Sequence, residues 1–359
     1  MKLVPLKALG SIYTGNTPSK KERKFYEAKD IPFIKPDIIS DSKLSEITHT
    51  EEYISNLARN NARIIPKNSI LVTCIGSIGK IGITGPGEYA FNQQINAIVP
   101  NAGINVRYLA YCLLFNKKKL CEIANNAVVP IINKKQFSDF CVSINPDIKV
   151  QKDIVRTLDI LACIIKHRQS QLAKLDELVK CRFVEMFGDW KTNPLNLPQI
   201  SGKELFVFSS GKFLSSDKRK ECGVPVYGGN GIAWYTDKPL IQESTIIIGR
   251  VGAFCGNIHS TKQPVWITDN AIYIKHCKKE IDHVFLTELM TQMDFHQYAD
   301  FSGQPKITQK PLEETKYILP TLEQQNAFAS FVHRIDKLRK LGEERRKMGD
   351  KRRNWVSKH

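Results

Sequence analysis

Long hydrophobic runs are missing from this 359-residue chain. Its apolar stretches, such as Ser69–Ile75 and Ser244–Gly249, fall well short of the ~20 residues that span a bilayer, so a helical membrane protein is excluded. The opening residues, MKLVPLKALG, offer no apolar stretch long enough for a signal peptide. No two of the nine cysteines form C-x-x-C. An odd number without pattern points to a reducing cytoplasm, not to a disulfide framework or a zinc site. Acidic residues are scarce: 36 Asp and Glu face 53 Lys and Arg, a net charge of +17. That balance favours a polyanionic partner, nucleic acid first. Hydrophobic residues make up 42% and charged residues 25%, which supports a globular core and rules out disorder of the whole chain. The length suggests two domains, at roughly 150 residues each.

Catalytic motifs are also missing. Gly76-Ser77-Ile78-Gly79-Lys80 has too few residues between its glycines for a phosphate loop, and Ile81 follows the lysine. The spacing fits a bend between two strands. Gly228-Gly229-Asn230-Gly231 is followed by no helix pattern, so it is no dinucleotide fingerprint. The histidines form no H-E-x-x-H and no triad signature. His276, Cys277 and His283 lack a metal-ligand spacing. No Asn/Asp-Pro-Pro-aromatic tetrapeptide marks an amino-methyltransferase site. The expectation is a protein that binds without catalysing, with no metal and no cofactor of its own.

What the sequence does have is a repeat. Ser69–Val72 and the following Gly76-x-x-Gly79 resemble Ser244–Ile247 and Gly249-x-x-Gly252. Phe91–Ile98 resembles Trp266–Ile272, and Val129–Lys134 resembles Gln304–Gln309. Pro146-Asp147-Ile148 with Gln151 resembles Pro320-Thr321-Leu322 with Gln325. The features recur in the same order at an offset of about 174 residues, too long for a solenoid.

Each half starts with a strand-rich segment punctuated by Gly and Pro. A long helical pattern follows. The first is predicted over 147–187, ~60 Å at 1.5 Å per residue. Its seam steps by four and three through Ile154, Leu158, Leu161, Ile165, Arg168, Leu172, Leu175, Val179, Arg182 and Met186. Gly188 and Pro194 end it. The second starts near Thr321, uses Leu322, Phe328, Phe331, Ile335 and Leu338, and runs into Arg345-Arg346-Lys347 and Lys351-Arg352-Arg353. Such helices need partners. Two from related halves would pair antiparallel, with the globular segments at opposite ends of a rod. The fold expected is α+β: two globular domains, 1–145 and 191–319, a central spacer helix, 146–190, and a distal one, 320–359, in a pseudo-two-fold repeat.

This layout resembles the specificity subunit of type I restriction–modification systems, over essentially the whole chain. The markers are Gly15-Asn16-Thr17-Pro18-Ser19, Ile31–Lys35, Val224–Ile232, Ile248–Gly252 and the Pro-x-hydrophobic-x-x-Gln turns at 146–151 and 320–325. The resemblance implies a non-catalytic reader of double-stranded DNA in which each domain recognises half of a split, asymmetric target. It also implies two methyltransferase subunits docked along the helices and two motor/nuclease restriction subunits. S-adenosylmethionine, ATP and Mg would sit on those partners, and the complex would work in the cytoplasm. A related system with a fused methyltransferase–nuclease partner fits the same sequence. An RNA-binding or architectural protein is the alternative from another class. The first half departs from the second: Ile34-Lys35-Pro36-Asp37 stands where the second has Tyr227-Gly228-Gly229-Asn230, and it carries more sequence between Pro32 and Ser69.

Sequence reading needs side chains that reach base edges and cations for phosphates. In the first half the candidates are Thr17, Ser19, Lys20, Lys21, Arg23, Lys35, Ser77 and the amides Asn92, Gln93 and Gln94, placed in a strand context. In the second they are Lys212, Lys218, Arg219, Tyr227, Gly229, Asn230, Arg250 and Lys306. Lys20 and Lys218 follow the equivalent glycines Gly15 and Gly211. Arg250 is matched with Ser77 at the glycine bend, either as a guanine reader or paired with a carboxylate such as Asp269.

Overall fold

A computed structural model describes residues 1–124, 129–261 and 264–356, with side chains described through Lys340. The chain forms two compact units, residues 1–166 and 167–359.

The first unit begins with β1 (Lys2–Pro5), a helical turn α1 (Leu6–Leu9) and β2 (Gly10–Thr14). Short strands follow: β3 (Ile31–Ile34), β4 (Ser45–Ile47), β5 (Tyr53–Ile54), β6 (Ile64–Pro66), β7 (Ile70–Thr73), β8 (Ile81–Thr84), β9 (Glu88–Phe91) and β10 (Ile95–Pro100). Helices α2 (Val106–Phe115), α3 (Lys117–Glu122) and α4 (Lys134–Asp139) lead to β11 (Cys141–Ile144) and the long α5 (Ile148–Phe187). The main sheet has the order β2-β10-β7-β8-β4, and a second has β5-β3-β9-β6. Strand β7 is buried throughout because both of its faces are covered. Ile70 and Val72 pack with Leu109, Leu113 and Phe137, while Leu71 faces Ile34, Tyr89 and Phe91. The extra sequence of this half includes β4, which lengthens the main sheet by pairing parallel to β8, whereas β5 pairs with β3 as β15 does with β14.

The second unit repeats the plan. It contains β12 (Gln199–Ser201), α6 (Gly202–Leu205), β13 (Phe206–Ser210), β14 (Val224–Gly228), β15 (Gly231–Thr236), β16 (Ile246–Gly249), β17 (Ile258–Ser260), β18 (Trp266–Ile267) and β19 (Ala271–Cys277). Helices α7 (His283–Gln292) and α8 (Gln309–Glu314), strand β20 (Lys316–Ile318) and the long α9 (Leu322–Val356) complete it. Its sheet order β13-β19-β16-β17 matches β2-β10-β7-β8, and β1-β11 is matched by β12-β20. The parallel pair β3–β9 has its counterpart in β14–β18.

The Gln of each Pro-x-hydrophobic-x-x-Gln turn has a definite task. Gln151 and Gln325 are 0% and 1% exposed. Gln151 Oε1 accepts the Asn105 backbone N–H and its Nε2 donates to the Asn145 carbonyl, both at 2.8 Å. Gln325 does the same with Asp282 and Pro320, again at 2.8 Å. Asn105 and Asp282 are the N-caps of α2 and α7. One buried amide therefore ties each long helix to the short helix of its own domain.

Helix α5 ends at Gly188, whose φ of +71° suits a glycine past a helix terminus. Within the second unit, α5 and α9 run antiparallel: Phe183 and Phe187 pack on Phe328, and further along Arg339 pairs with Asp176 at 2.6 Å. The buried positions here are Val179, Phe183 and Phe187. Two of them lie one residue on from the seam predicted at 182 and 186. A helix with 3.6 residues per turn drifts in this sense from a strict 3.5 repeat. The middle of the predicted seam is uncovered: Leu161, Ile165 and Leu172 are 36–49% exposed. Among the described residues, no helix is long and apolar enough to cross a membrane. The side chains of the basic runs at 345–347 and 351–353 lie outside those described.

Candidate nucleic-acid interface

Each unit holds its leading loop in a backbone clamp built on one glycine. Gly15 N–H donates to the Ile95 carbonyl at 3.1 Å and Asn16 N–H to Phe91 at 3.0 Å. Gly211 and Lys212 repeat this with Ala271 and Ile267, at 3.0 and 2.8 Å. A Cβ on Gly15 would lie 2.1 Å from the Asn92 carbonyl oxygen, and one on Gly211 would lie 2.1 Å from that of Thr268. Only glycine allows this approach. The clamps bring each leading loop against the turn that precedes the central strand, β10 or β19.

In the first unit the clamp gathers Thr17 and Gln93, both exposed, with Thr17 Oγ1 donating to Gln93 Oε1 at 2.8 Å. Asn92, Gln93 and Gln94 lie in the turn between β9 and β10, not in a strand. Asn92 is 6% exposed and its amide is spent internally. It donates to Gln94 Oε1 at 2.9 Å and accepts the Gln94 N–H at 3.2 Å. Ser19, Lys20, Lys21 and Arg23 are exposed on the loop beyond the clamp, while Lys35 is ion-paired with Glu52. Ser77 is exposed in the bend between β7 and β8, where Gly76 and Gly79 have φ of +74° and +78°.

In the second unit Tyr227, Gly229 and Asn230 belong to the β14–β15 hairpin. Tyr227 and Gly229 are half-buried and Asn230 is exposed. The turn lines a cleft of about 400 Å³ together with Trp234, Phe254, Thr268, Asn270 and Gln304. Lys212, Lys218 and Arg219 are exposed on the clamped loop, and the Arg219 guanidinium stacks 4.2 Å over the Trp234 ring. Lys306 is exposed, and its backbone exchanges hydrogen bonds with Asp300. His259, which the sequence did not mark, supports the turn from below. Its Nε2 is 3.3 Å from the Gly229 carbonyl, and burial pushes its pKa below the usual histidine value. A carbonyl only accepts, so Nε2 carries the proton in that contact. No local pattern announces this residue, because its partner is thirty residues away in sequence.

The two glycine bends are equivalent in a register different from the one expected. Gly76 N–H donates to the Pro130 carbonyl and Gly252 N–H to that of Pro305. Cys74 accepts from Ile132 and donates to Gln94; Arg250 accepts from Ile307 and donates to Asn270. Arg250 therefore occupies the place of Cys74, not of Ser77, and Gly76 matches Gly252. Cys74 is buried, which pushes its thiol pKa up to about 12. The Arg250 residue is half-buried, and its Nη1 lies 3.3 Å from the Asp269 backbone carbonyl, not its carboxylate. Gly249 stays small for another reason: a Cβ there would lie 2.2 Å from the Phe254 carbonyl oxygen. Among the described residues, no three His, Cys, Asp or Glu side chains are grouped to hold a metal.

This duplicated scaffold has counterparts among known proteins. Residues 1–175 and 200–347 match the family described as the type I restriction modification DNA specificity domain. The chain belongs to that family. The specificity subunit of the EcoprrI type I restriction enzyme of Escherichia coli is 26% identical to this specificity-family chain over 360 residues, 93% of this chain and 87% of that one. The EcoR124I/EcoR124II specificity subunit of E. coli is 31% identical over 169 residues, 44% of this chain and 40% of the relative. Among solved structures, the S subunit of a type I system from M. genitalium superposes with a TM-score of 0.57 at 18% identity, covering 96% of this chain and 91% of that one. A structure describing complex assembly and conformational transition of the type I restriction–modification system gives 0.58 at 12% identity, covering 96% and 93%. At these identities the structures show a shared fold.

Proposed function

We propose that the chain is the non-catalytic DNA-reading subunit of a cytoplasmic type I restriction–modification complex. In this reading, residues 1–145 and 191–319 are target-recognition domains, each facing one half of a split, asymmetric duplex target. Residues 146–190 and 320–359 are the spacer helices that set the gap between the halves. The observation that carries the reading is the repeated clamp: one scaffold, built twice, presents different residues at matching positions. Thr17 stands against Phe213, Lys35 against Gly228 and Cys74 against Arg250. A shared scaffold with unlike loops is what two different half-targets require.

Lys20, Lys21, Arg23, Lys212, Lys218, Arg219 and Lys306 are assigned to phosphates. Thr17, Ser19, Gln93, Asn230 and Arg250 are assigned to the groove, with Tyr227 and Gly229 shaping the hairpin that approaches it. Ser77 and Lys35 serve as secondary contacts, and Asn92 and Gln94 hold the turn that carries Gln93. Two methyltransferase subunits dock along the exposed stretch of α5 and along α9, and two restriction subunits join them. The partners carry S-adenosylmethionine, ATP and Mg, and perform adenine N6 methylation and DNA cleavage. Co-expression with a methyltransferase subunit, followed by native mass measurement, should give a 2:1 complex that methylates one bipartite motif. A chain that stays free of the methyltransferase would count against the reading.

A further inference from the structure

We propose that Phe213 is an apolar wedge that stacks on a base at one step of the target duplex; the inference rests on the DNA-reading role above. Phe213 is 75% exposed, the highest value of any large hydrophobic residue described in the second unit. Exposure alone means little, because single apolar residues are common on surfaces. The difference here is that the backbone on both sides is fixed. Lys212 N–H donates to the Ile267 carbonyl at 2.8 Å, and the Lys212 carbonyl accepts the Trp266 indole N–H at 3.0 Å. Gly211 is locked against the Thr268 carbonyl, and Leu214 is buried at 8% exposure. These contacts fix the Cα–Cβ direction from which the exposed ring projects.

The scaffold does not demand an outward ring at this place. The equivalent residue of the first unit, Thr17, bonds to Gln93. The surroundings of Phe213 suit a polyanion. Lys212 and Lys218 are exposed and make no ion pair among the described residues. Arg219 adds a third cation, stacked on Trp234. Asp217 is the single carboxylate between Gly211 and Lys220. An exposed aromatic ring on a fixed backbone, in a chain segment that carries three cations, is the chemistry of side chains that insert at a base step while neighbouring charges hold the phosphates.

The test uses the full chain in complex with its methyltransferase partner and duplexes that the wild-type complex selects from a random-sequence pool. Phe213→Ala should weaken binding to the selected duplex roughly tenfold with an unchanged melting temperature, and Phe213→Trp should retain it. With 2-aminopurine placed successively along the second half-target, outside the adenine that the methyltransferase itself extrudes, wild type should brighten the probe at one step and Phe213→Ala should not. Equal binding by wild type and Phe213→Ala would overturn the proposal. So would weaker binding without brightening at any step other than that adenine. A wild-type complex that selects no sequence would instead overturn the DNA-reading role and this inference with it.

Discussion

In the first unit the turn against the clamp closes on itself: Asn92 bonds to Gln94, and Thr17 to Gln93. In the second, Thr268 takes the place of Asn92, and its hydroxyl is buried with no hydrogen-bond partner among the described residues. The loop there presents Phe213 outward instead of a bonded threonine, and a glycine hairpin replaces Ile34–Asp37. The backbone hydrogen bonds beneath are nearly the same in both. Clamp, central strands and buried glutamine are therefore what the fold requires, and the residues above them are free to differ. A duplicated reader needs that division, because a change of target must not unfold the scaffold.

The largest effect should come from filling the clamps. Gly15→Ala and Gly211→Ala each press a methyl group onto a backbone oxygen, at a cost of about 3 kcal/mol, the upper end of what overpacking usually costs. Thermal melts should show similar losses for both; a silent substitution in one unit would break the equivalence. The glutamines come next. Gln151→Ala and Gln325→Ala each leave a buried N–H and carbonyl unpaired, a loss of roughly 1–3 kcal/mol. Denaturant titration should find the two losses alike.

Acid should separate the units. Burial pushes the Asp159 carboxyl up, but hydrogen bonds from Arg107 and Tyr111 outweigh it and hold the group below the usual aspartate value. A depressed carboxylate contributes stability that is present above its unfolded value and lost as pH falls through its folded one. In the second unit Glu288 stands in the place of Tyr111. Burial raises its pKa, with only partial relief from Gln292, Lys180 and Arg339. The folded state then binds the proton more tightly, so acidification from its raised value toward the ordinary glutamate value adds stability. Asp159→Asn should flatten the acid loss, and Glu288→Gln should raise stability at neutral pH and remove the acid gain. Melts across the carboxylate range check both signs.

The smallest effects belong to single cations. Neutralising Lys20, Lys21 or Lys218 should weaken binding to all DNA alike and flatten the log–log salt dependence by ~1 for each cation removed from a phosphate. Arg219→Ala should do the same and also loosen the hairpin, because its guanidinium covers Trp234.

Much of the scaffold was legible because it is encoded locally. The run Ile70–Thr73, the start of α5 after Pro146, its stop at Gly188 and the order of the repeats all follow from neighbouring residues. The register of the glycine bends was not. Gly76-x-x-Gly79 and Gly249-x-x-Gly252 share a spacing, but Gly249 is small to admit Phe254 and Gly76 is small to turn. The match had to come from hydrogen bonds to Pro130 and Pro305, far along the chain. The candidate site suffered in the same way. A basic run is visible in sequence, but the stacking of Arg219 on Trp234 and the self-pairing of Asn92 with Gln94 depend on where the chain returns.

If two independent readers share one scaffold, their targets can be exchanged one at a time. Residues 1–145 are replaced with those of a relative of different target, the chimera is expressed with its methyltransferase, and genomic methylation is mapped. One half of the target should change while the other half and the gap between them persist. A chimera that folds, methylates and changes both halves together would contradict that independence.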